Sequence, residues 1–209
     1  QLVVHGTQDV PAPAVLLGDG FHLGRAQLDH GELGGDEETV EQNEEQGEQQ
    51  FYDARVSLDG WYSCHSCHTD GHTNGMRADT FGDEDRGAPR QVISLRGVAD
   101  SGPWAWNGSK KELEDQIRTS LIISMQTQLT EEHLPIHSLA AFMRSLPPVP
   151  SVSEARGVSM DRDEHSRLRQ KFESAGCIQC HSGNSLTSDV VVDVGLHDEM
   201  GETAFNPPS

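Results

Sequence analysis

Apolar residues recur every three to four positions in three stretches of the chain. In NGSKKELEDQIRTSLII, residues 107–123, Leu113, Ile117 and Leu121 stand four apart, the spacing of one helix face. Ser109 and Glu112 precede them as an S-x-x-E capping box, which predicts a helix starting there. TEEHLPIHSLAAFMRSLPPVP, residues 130–150, predicts a second helix with Leu139, Phe142, Met143 and Leu146 on one face; Pro147 and Pro148 stop it. DRDEHSRLRQKFESAGC, residues 161–177, predicts a third, with Leu168 and Phe172 turned inward and Gly176 ending it. The two-residue alternation of strands is confined to DVVVDV at 189–194. The pattern is that of a mostly α protein.

Between these elements the composition shifts. Residues 1–31 are rich in Gly, Pro and His and read as irregular. Residues 32–50 form an acidic, glutamine-rich run that is expected to be solvated, with only its end turning helical before Phe51 and Tyr52. PPVPS at 147–151 reads as an interdomain linker. The expected division is an N-terminal extension, 1–46, a first domain, 47–150, and a second, 151–209. The two domains echo each other. In both, a helix ending in Phe and small residues leads into Cys-x-x-Cys-His, 113 positions apart. By that offset the second unit stops about 50 residues short of the first. The expectation is a second domain lacking its last helices, completed by a partner subunit.

The hydrophobic content is 34% and the aromatic content 5%, low for a packed chain, so an apolar cofactor is expected to fill part of the core. The net charge of −19 over 209 residues disfavours nucleic acid and anionic membrane surfaces and favours a basic soluble redox partner. The sequence has no apolar run long enough to span a bilayer. Gln1 begins no basic-then-apolar leader, which suggests a mature product or a fragment.

The chemistry lies in WYSCHSCHTDGH, 61–72, and GCIQCHSG, 176–183. Cys64, Cys67 and His68, and again Cys177, Cys180 and His181, form C-x-x-C-H. Two thiols at this spacing add to the two vinyl groups of one haem, and the adjacent histidine reaches the iron from one face. The motif occurs twice, at matching repeat positions, and uses all four cysteines. The two pairs lie too far apart for a zinc ribbon, and no βαβ pattern surrounds them as in a thioredoxin-like site. Structural disulfides are the remaining alternative. Two haem c groups are the expected cofactors. Such haem is attached outside the cytoplasm in bacteria, which implies the periplasm.

With FYDARVSLDGWYSCHSCHTDGHTNG, PRQVISLRGVADSGPWAWNGSKKELEDQI, LAAFMRSLPP and GCIQCHSG in order, residues 47–209 resemble the bacterial dihaem cytochrome c peroxidase family, including its MauG-type members. The resemblance implies two mostly helical, cytochrome c-like haem domains in tandem. It also implies an active site at the first haem and electron entry from a small donor protein at the second. His68 and His181 would be the proximal ligands, and Trp106 the tryptophan between the haems. The chain departs from the family pattern in places. RADTFGDEDRGAPR has no distal histidine, and IRTSLIISMQ offers Met125 or Gln126 where the family has a glutamate. Met125 as axial ligand would close the first haem and make it an electron carrier; the alternative is Met125 as core filling. An open iron with Glu131, Glu132 or Gln126 nearby would instead reduce hydrogen peroxide. His65, His72 and Met76 are near the first motif, and His133 and His137 sit four apart on the second predicted helix, a metal-binding spacing. His197 and Met200 are the distal candidates for the second haem. Gln91 stands where the family has a calcium-associated asparagine, so calcium is a minor expectation. A third reading is a haem-bearing subunit or fragment of a larger redox assembly.

Overall fold

The structure is a computed structural model and describes residues 37–81, 88–159, 161–183, 185–193 and 195–207. The chain divides into two units, 1–34 and 35–209, and every described residue belongs to the second. The irregular reading of 1–31 lies outside the described residues, as do residues 82–87 of the RADTFGDEDRGAPR stretch.

The acidic run is more ordered than its composition suggests. It is helical from Glu37 to Tyr52, helix α1. Glu41, Gln42, Glu45, Gln46, Glu48 and Gln49 are exposed, and the helix is held at its C-terminal end. Phe51 is fully buried. Gly47 lies so close to a later helix, α4 (Ile136–Ser145), that an added Cβ would sit 1.9 Å from the Ser138 carbonyl oxygen. Gln50 Oε1 accepts the Ser138 hydroxyl at 2.5 Å. Tertiary contact thus overrides a composition that by itself reads as mobile.

After α1 come a one-turn helix α2, Cys64–Cys67, then helix α3, Leu113–Thr119, and α4. Phe51, Leu113, Leu121 and Leu139 are the largest fully buried side chains among the described residues, and they join α1, α3 and α4 in one core. Arg144 of α4 makes a two-pronged pair with Glu114 of α3 at 2.6 and 2.8 Å. The expected helix over 107–123 is shorter than its pattern. Ser109 forms no cap. Its N–H donates to Asn107 Oδ1 at 3.1 Å, a local turn that competes with helix. Lys110 pairs across with Trp104, and the helix starts after Glu112. At its other end Ser120–Ser124 widen into a π turn. The helix expected over 130–150 is also divided. Glu131–His133 form a 3-10 turn, and Pro135, which disfavours a helical residue before it, separates that turn from α4. His133 and His137 therefore do not share one helix face.

The rest of the chain has α5, Val152–Ala155, and α6, Arg162–Ser174. Leu168 of α6 is not inward: it is 43% exposed, and no residue of the helix is buried. Its apolar residues have no core to enter among the described residues. Among the described residues, sheet is limited to two antiparallel pairs. Strands β1, Arg77–Ala78, and β2, Arg90–Gln91, form one; β3, Val192–Asp193, and β4, Ala204–Phe205, form the other. DVVVDV thus supplies β3. No helix among the described residues is long and apolar enough to cross a membrane.

Residues 185–207 are tied to the first region by side-chain and backbone bonds, the two-pronged Arg77–Glu199 pair among them. Ser185 Oγ donates to the Asp100 carbonyl at 2.8 Å. The Asp198 carboxylate, 5% exposed, pairs with Arg90 at 2.7 Å and accepts the Ala88, Met200 and Glu202 amides. Burial by itself would raise the Asp198 pKa, but the three amides and the guanidinium win and hold it at about 2. Asn206 docks on the 103–106 loop: its N–H donates to the Trp106 carbonyl at 2.8 Å and its Nδ2 to the Pro103 carbonyl at 2.5 Å.

Candidate functional site: two cysteine–histidine motifs

The first motif is a single helical turn. The Ser63 N–H donates to Ser66 Oγ and the Ser66 N–H returns to the Ser63 carbonyl, closing the turn's start. The His68 N–H donates to the Cys64 carbonyl at 2.9 Å, which sets both thiols and the histidine in one short loop. The chain after His68 is stitched to residues 91–95. Leu95 N–H meets the Gly71 carbonyl, Val92 N–H meets the Met76 carbonyl, and the Thr73 hydroxyl donates to the Val92 carbonyl. This brings the Ile93 carbonyl within 3.0 Å of His68 Nδ1. A carbonyl can only accept, so Nδ1 carries the proton and the Nε2 lone pair is free to bind a metal. Burial also pushes the His68 pKa down, which favours the neutral, ligating form.

The second motif repeats this arrangement. Gly176, with φ of +82°, ends α6 and starts the turn Cys177–Gln179. The His181 N–H donates to the Cys177 carbonyl, and His181 Nδ1 donates to the Leu186 carbonyl at 2.9 Å. Leu186 has φ of +53°, a left-handed conformation rare for a bulky residue and found where a backbone group must be aimed. Two separate histidines, each following Cys-x-x-Cys, thus hold the same tautomer through unrelated loops.

The thiols are free at all four cysteines, so the disulfide alternative does not describe this structure. Burial pushes the Cys64 thiol up to about 12 and raises Cys67 as well, the reverse of a redox-active thiolate. Among the described residues, no three His, Cys, Asp or Glu side chains gather as a metal-binding group. The donor set fits haem c: paired free thiols, a histidine with Nε2 available, and exposed apolar neighbours. Trp61 and Met76 near the first motif are 73% and 64% exposed, and Ile178 and Leu186 of the second are also exposed.

The other sequence candidates fall as follows. Met125 is 4% exposed and belongs to the core with Leu121 and Ile136. Its N–H donates to the Ser120 carbonyl and its carbonyl accepts Leu58 N–H. Beside it the Tyr62 hydroxyl, pushed up to about 12 by burial and the nearby cysteines, donates to the Ser124 carbonyl at 2.6 Å. Gln126 is exposed with φ of +49°. His65 accepts the Asp70 N–H and stacks on Tyr52 with ring centroids 4.6 Å apart. His72 bonds Ser94, and His133 bonds Thr130. Glu131 pairs with Arg118, and Glu132 lies 3.6 Å from His133. Trp106 is half-buried in the loop that Asn206 grips. Met200 is 70% exposed and His197 is exposed, on a segment held against Arg77 and Ala88–Arg90. Gln91 is exposed in β2. Sequence reasoning missed Ile93 and Leu186. Their backbone carbonyls do the work, and a carbonyl leaves no trace in residue type.

Comparison with known proteins agrees with this chemistry. In sequence, the chain is 26% identical to the methylamine utilization protein MauG of Methylorubrum extorquens, over 78% of this chain and 56% of that protein. The chain therefore spans about half the length of that relative. In fold, it is similar to hydrazine synthase of Kuenenia stuttgartiensis: TM-score 0.56, 22% identity, 90% of this chain and 67% of that one. It is also similar to a MauG-like protein associated with microbial copper homeostasis, with TM-score 0.60, 22% identity, 81% of this chain and 66% of that one. Residues 41–151, which hold the first motif but not the second, match the family model described as di-haem cytochrome c peroxidase. The chain belongs to the di-haem cytochrome c peroxidase family.

Proposed function

We propose that the chain is a periplasmic dihaem c-type cytochrome that moves electrons between two covalently bound haems. The observation that carries this reading is the shared histidine geometry, His68 Nδ1 on the Ile93 carbonyl and His181 Nδ1 on the Leu186 carbonyl. Haem iron supplies the one-electron ferric–ferrous couple that no side chain here possesses. Cys64 and Cys67, and Cys177 and Cys180, form the thioether attachments. His68 and His181 present Nε2 as proximal ligands, and their carbonyl partners fix the ring orientation and raise ligand basicity. Trp106 lies on the first-region loop that Asn206 of the second region grips and would serve as the intermediate aromatic. The −19 net charge suits a basic redox partner. In this reading Met125 would be a further ligand of the first haem, and Met200 or His197 a further ligand of the second.

Peroxide reduction at the first haem is the second reading. It is favoured by the packing of Met125 inside the core with Leu121 and Ile136, where the thioether would serve as core filling and not as a ligand. Ferric EPR and optical spectra, before and after cyanide, separate the two. A wholly low-spin spectrum with a thioether band, lost in Met125→Leu, supports electron transfer. A high-spin component that cyanide converts supports peroxide chemistry.

A further inference from the structure

The turn that carries Met125 is held by residues on both sides of the first motif. Ser120–Ser124 widen into a π turn, a departure from α geometry that is frequent at functional sites. The Met125 N–H donates to the Ser120 carbonyl at 2.8 Å and the Thr127 N–H to the Leu121 carbonyl at 3.0 Å. Gln126 between them is left-handed, with φ of +49°, a conformation that persists only where the surroundings impose it. Three bonds from distant residues do so. The Tyr62 hydroxyl donates to the Ser124 carbonyl at 2.6 Å. The Leu58 N–H donates to the Met125 carbonyl at 2.9 Å, and the Ser124 hydroxyl donates to the Thr80 carbonyl at 2.6 Å. Leu58 and Tyr62 precede Cys64 in the chain, and Thr80 follows His68. Tyr62 is itself fixed: its N–H donates to Ser57 Oγ at 3.3 Å, and it packs with Cys64 against the core that holds Leu121, Met125 and Ile136.

We infer that Tyr62 is a positioning residue for Met125: its hydroxyl ties the turn that bears the first motif's thiols to the turn that bears the thioether. This rests on the electron-transfer reading above, in which Met125 would be a further ligand of the first haem. Tyr62 stands two residues before Cys64, so a group joined to that thiol and the backbone of Met125 share one frame. Outer partners of this kind orient a ligand and tune the metal it binds. The short O–H···O bond to the carbonyl next to Met125 has near-ideal length and reaches across 62 positions of chain. The other tyrosine of the chain is a natural control. The Tyr52 hydroxyl reaches the Asp70 carboxylate at 3.5 Å, a long, exposed contact within the first motif's own loop and away from the 120–127 turn.

The test compares the haem-loaded parent with Tyr62→Phe and Tyr52→Phe, by ferric optical spectra, both midpoint potentials and hydrogen exchange of the Met125 and Thr127 amides. Haem content is measured on the same samples. Tyr62→Phe keeps the ring and deletes only the donor. It is expected to speed exchange of the two amides roughly tenfold, the effect of one lost hydrogen bond. It is also expected to weaken the thioether band and lower the potential of the first haem, since a methionine ligand raises it. The potential of the second haem and the haem content stay as in the parent. Tyr52→Phe is expected to leave all of these alone. A thioether band and potential that survive in Tyr62→Phe overturn the inference, as do equal changes in Tyr52→Phe or equal shifts at both haems. A parent chain with no thioether band overturns the Met125 reading itself, and the parent spectrum distinguishes that failure from failure of the Tyr62 tether.

Discussion

Residues 37–149 and 151–207 carry the same Cys-x-x-Cys-His motif on different kinds of support. In the first region the motif stands on a core: Phe51, Leu113, Leu121 and Leu139 are sealed from water, and α1 and α4 are in direct backbone contact at Gly47. In the second, the preceding helix α6 has no buried residue, and the motif is held by hydrogen bonds from Ser185, Thr187, Ser188 and Asn206. Yet the histidine geometry is the same to within 0.1 Å, 3.0 against 2.9 Å. Ligand orientation is therefore a local property of a few backbone bonds, whereas stability is a property of the core beneath.

The largest test of that contrast is a pair of truncations. Phe51→Ala is expected to destabilise by about 3–5 kcal/mol, as for a sealed aromatic. Phe172→Ala, on the exposed helix, is expected to cost about 1 kcal/mol or less. Denaturant unfolding measures both, and equal losses would erase the distinction. Next, Gly47→Ala forces a Cβ against the Ser138 carbonyl and is expected to cost about 1–3 kcal/mol; full retention of the midpoint would contradict the close helix contact.

A smaller effect separates the docking of the second region from the core of the first. The Asp198 carboxyl is held at about 2, against an ordinary 3.8. It binds protons more weakly folded than unfolded, so its contribution is complete above the ordinary value and is lost as pH falls toward the folded one. Hydrogen exchange of the 198–207 amides is expected to accelerate between pH 4 and pH 2 beyond the intrinsic change. Asp198→Asn is expected to show the faster exchange at neutral pH and no further acid step; protection equal to the parent's would remove Asp198 from the account. The smallest effect is at Leu186. Its left-handed backbone suits glycine and its side chain is exposed, so Leu186→Gly is expected to stabilise by about 0.5–1 kcal/mol. A lowered melting temperature would show that the leucine side chain matters more than its backbone.

The motif residues, the apolar face of α4 and the core positions Leu113, Ile117 and Leu121 were legible because thiol spacing and a 3.6-residue period are written in side chains. Helix α1 was only partly legible. Its glutamates and glutamines carry no periodicity, and its place is fixed by one glycine and one phenylalanine meeting a distant helix. The capping box at Ser109 matched its pattern but lost to an Asn107 turn two residues away. Leu168 pointed inward by spacing, but a helical face is buried only if something covers it. The Ile93 and Leu186 carbonyls and the Asp198 hub depend on backbone groups brought together from afar, which residue identity does not encode.

In the dihaem reading both motifs carry haem, with His68 and His181 as proximal ligands. The most direct measurement is the pyridine haemochrome content of chain matured with the bacterial haem-attachment machinery, alongside His68→Ala and His181→Ala. Two haems per chain are expected, both with saturated vinyl groups, with loss of one histidine-ligated signal in each variant. A chain that matures with no haem, or with one haem that only one histidine affects, would contradict it.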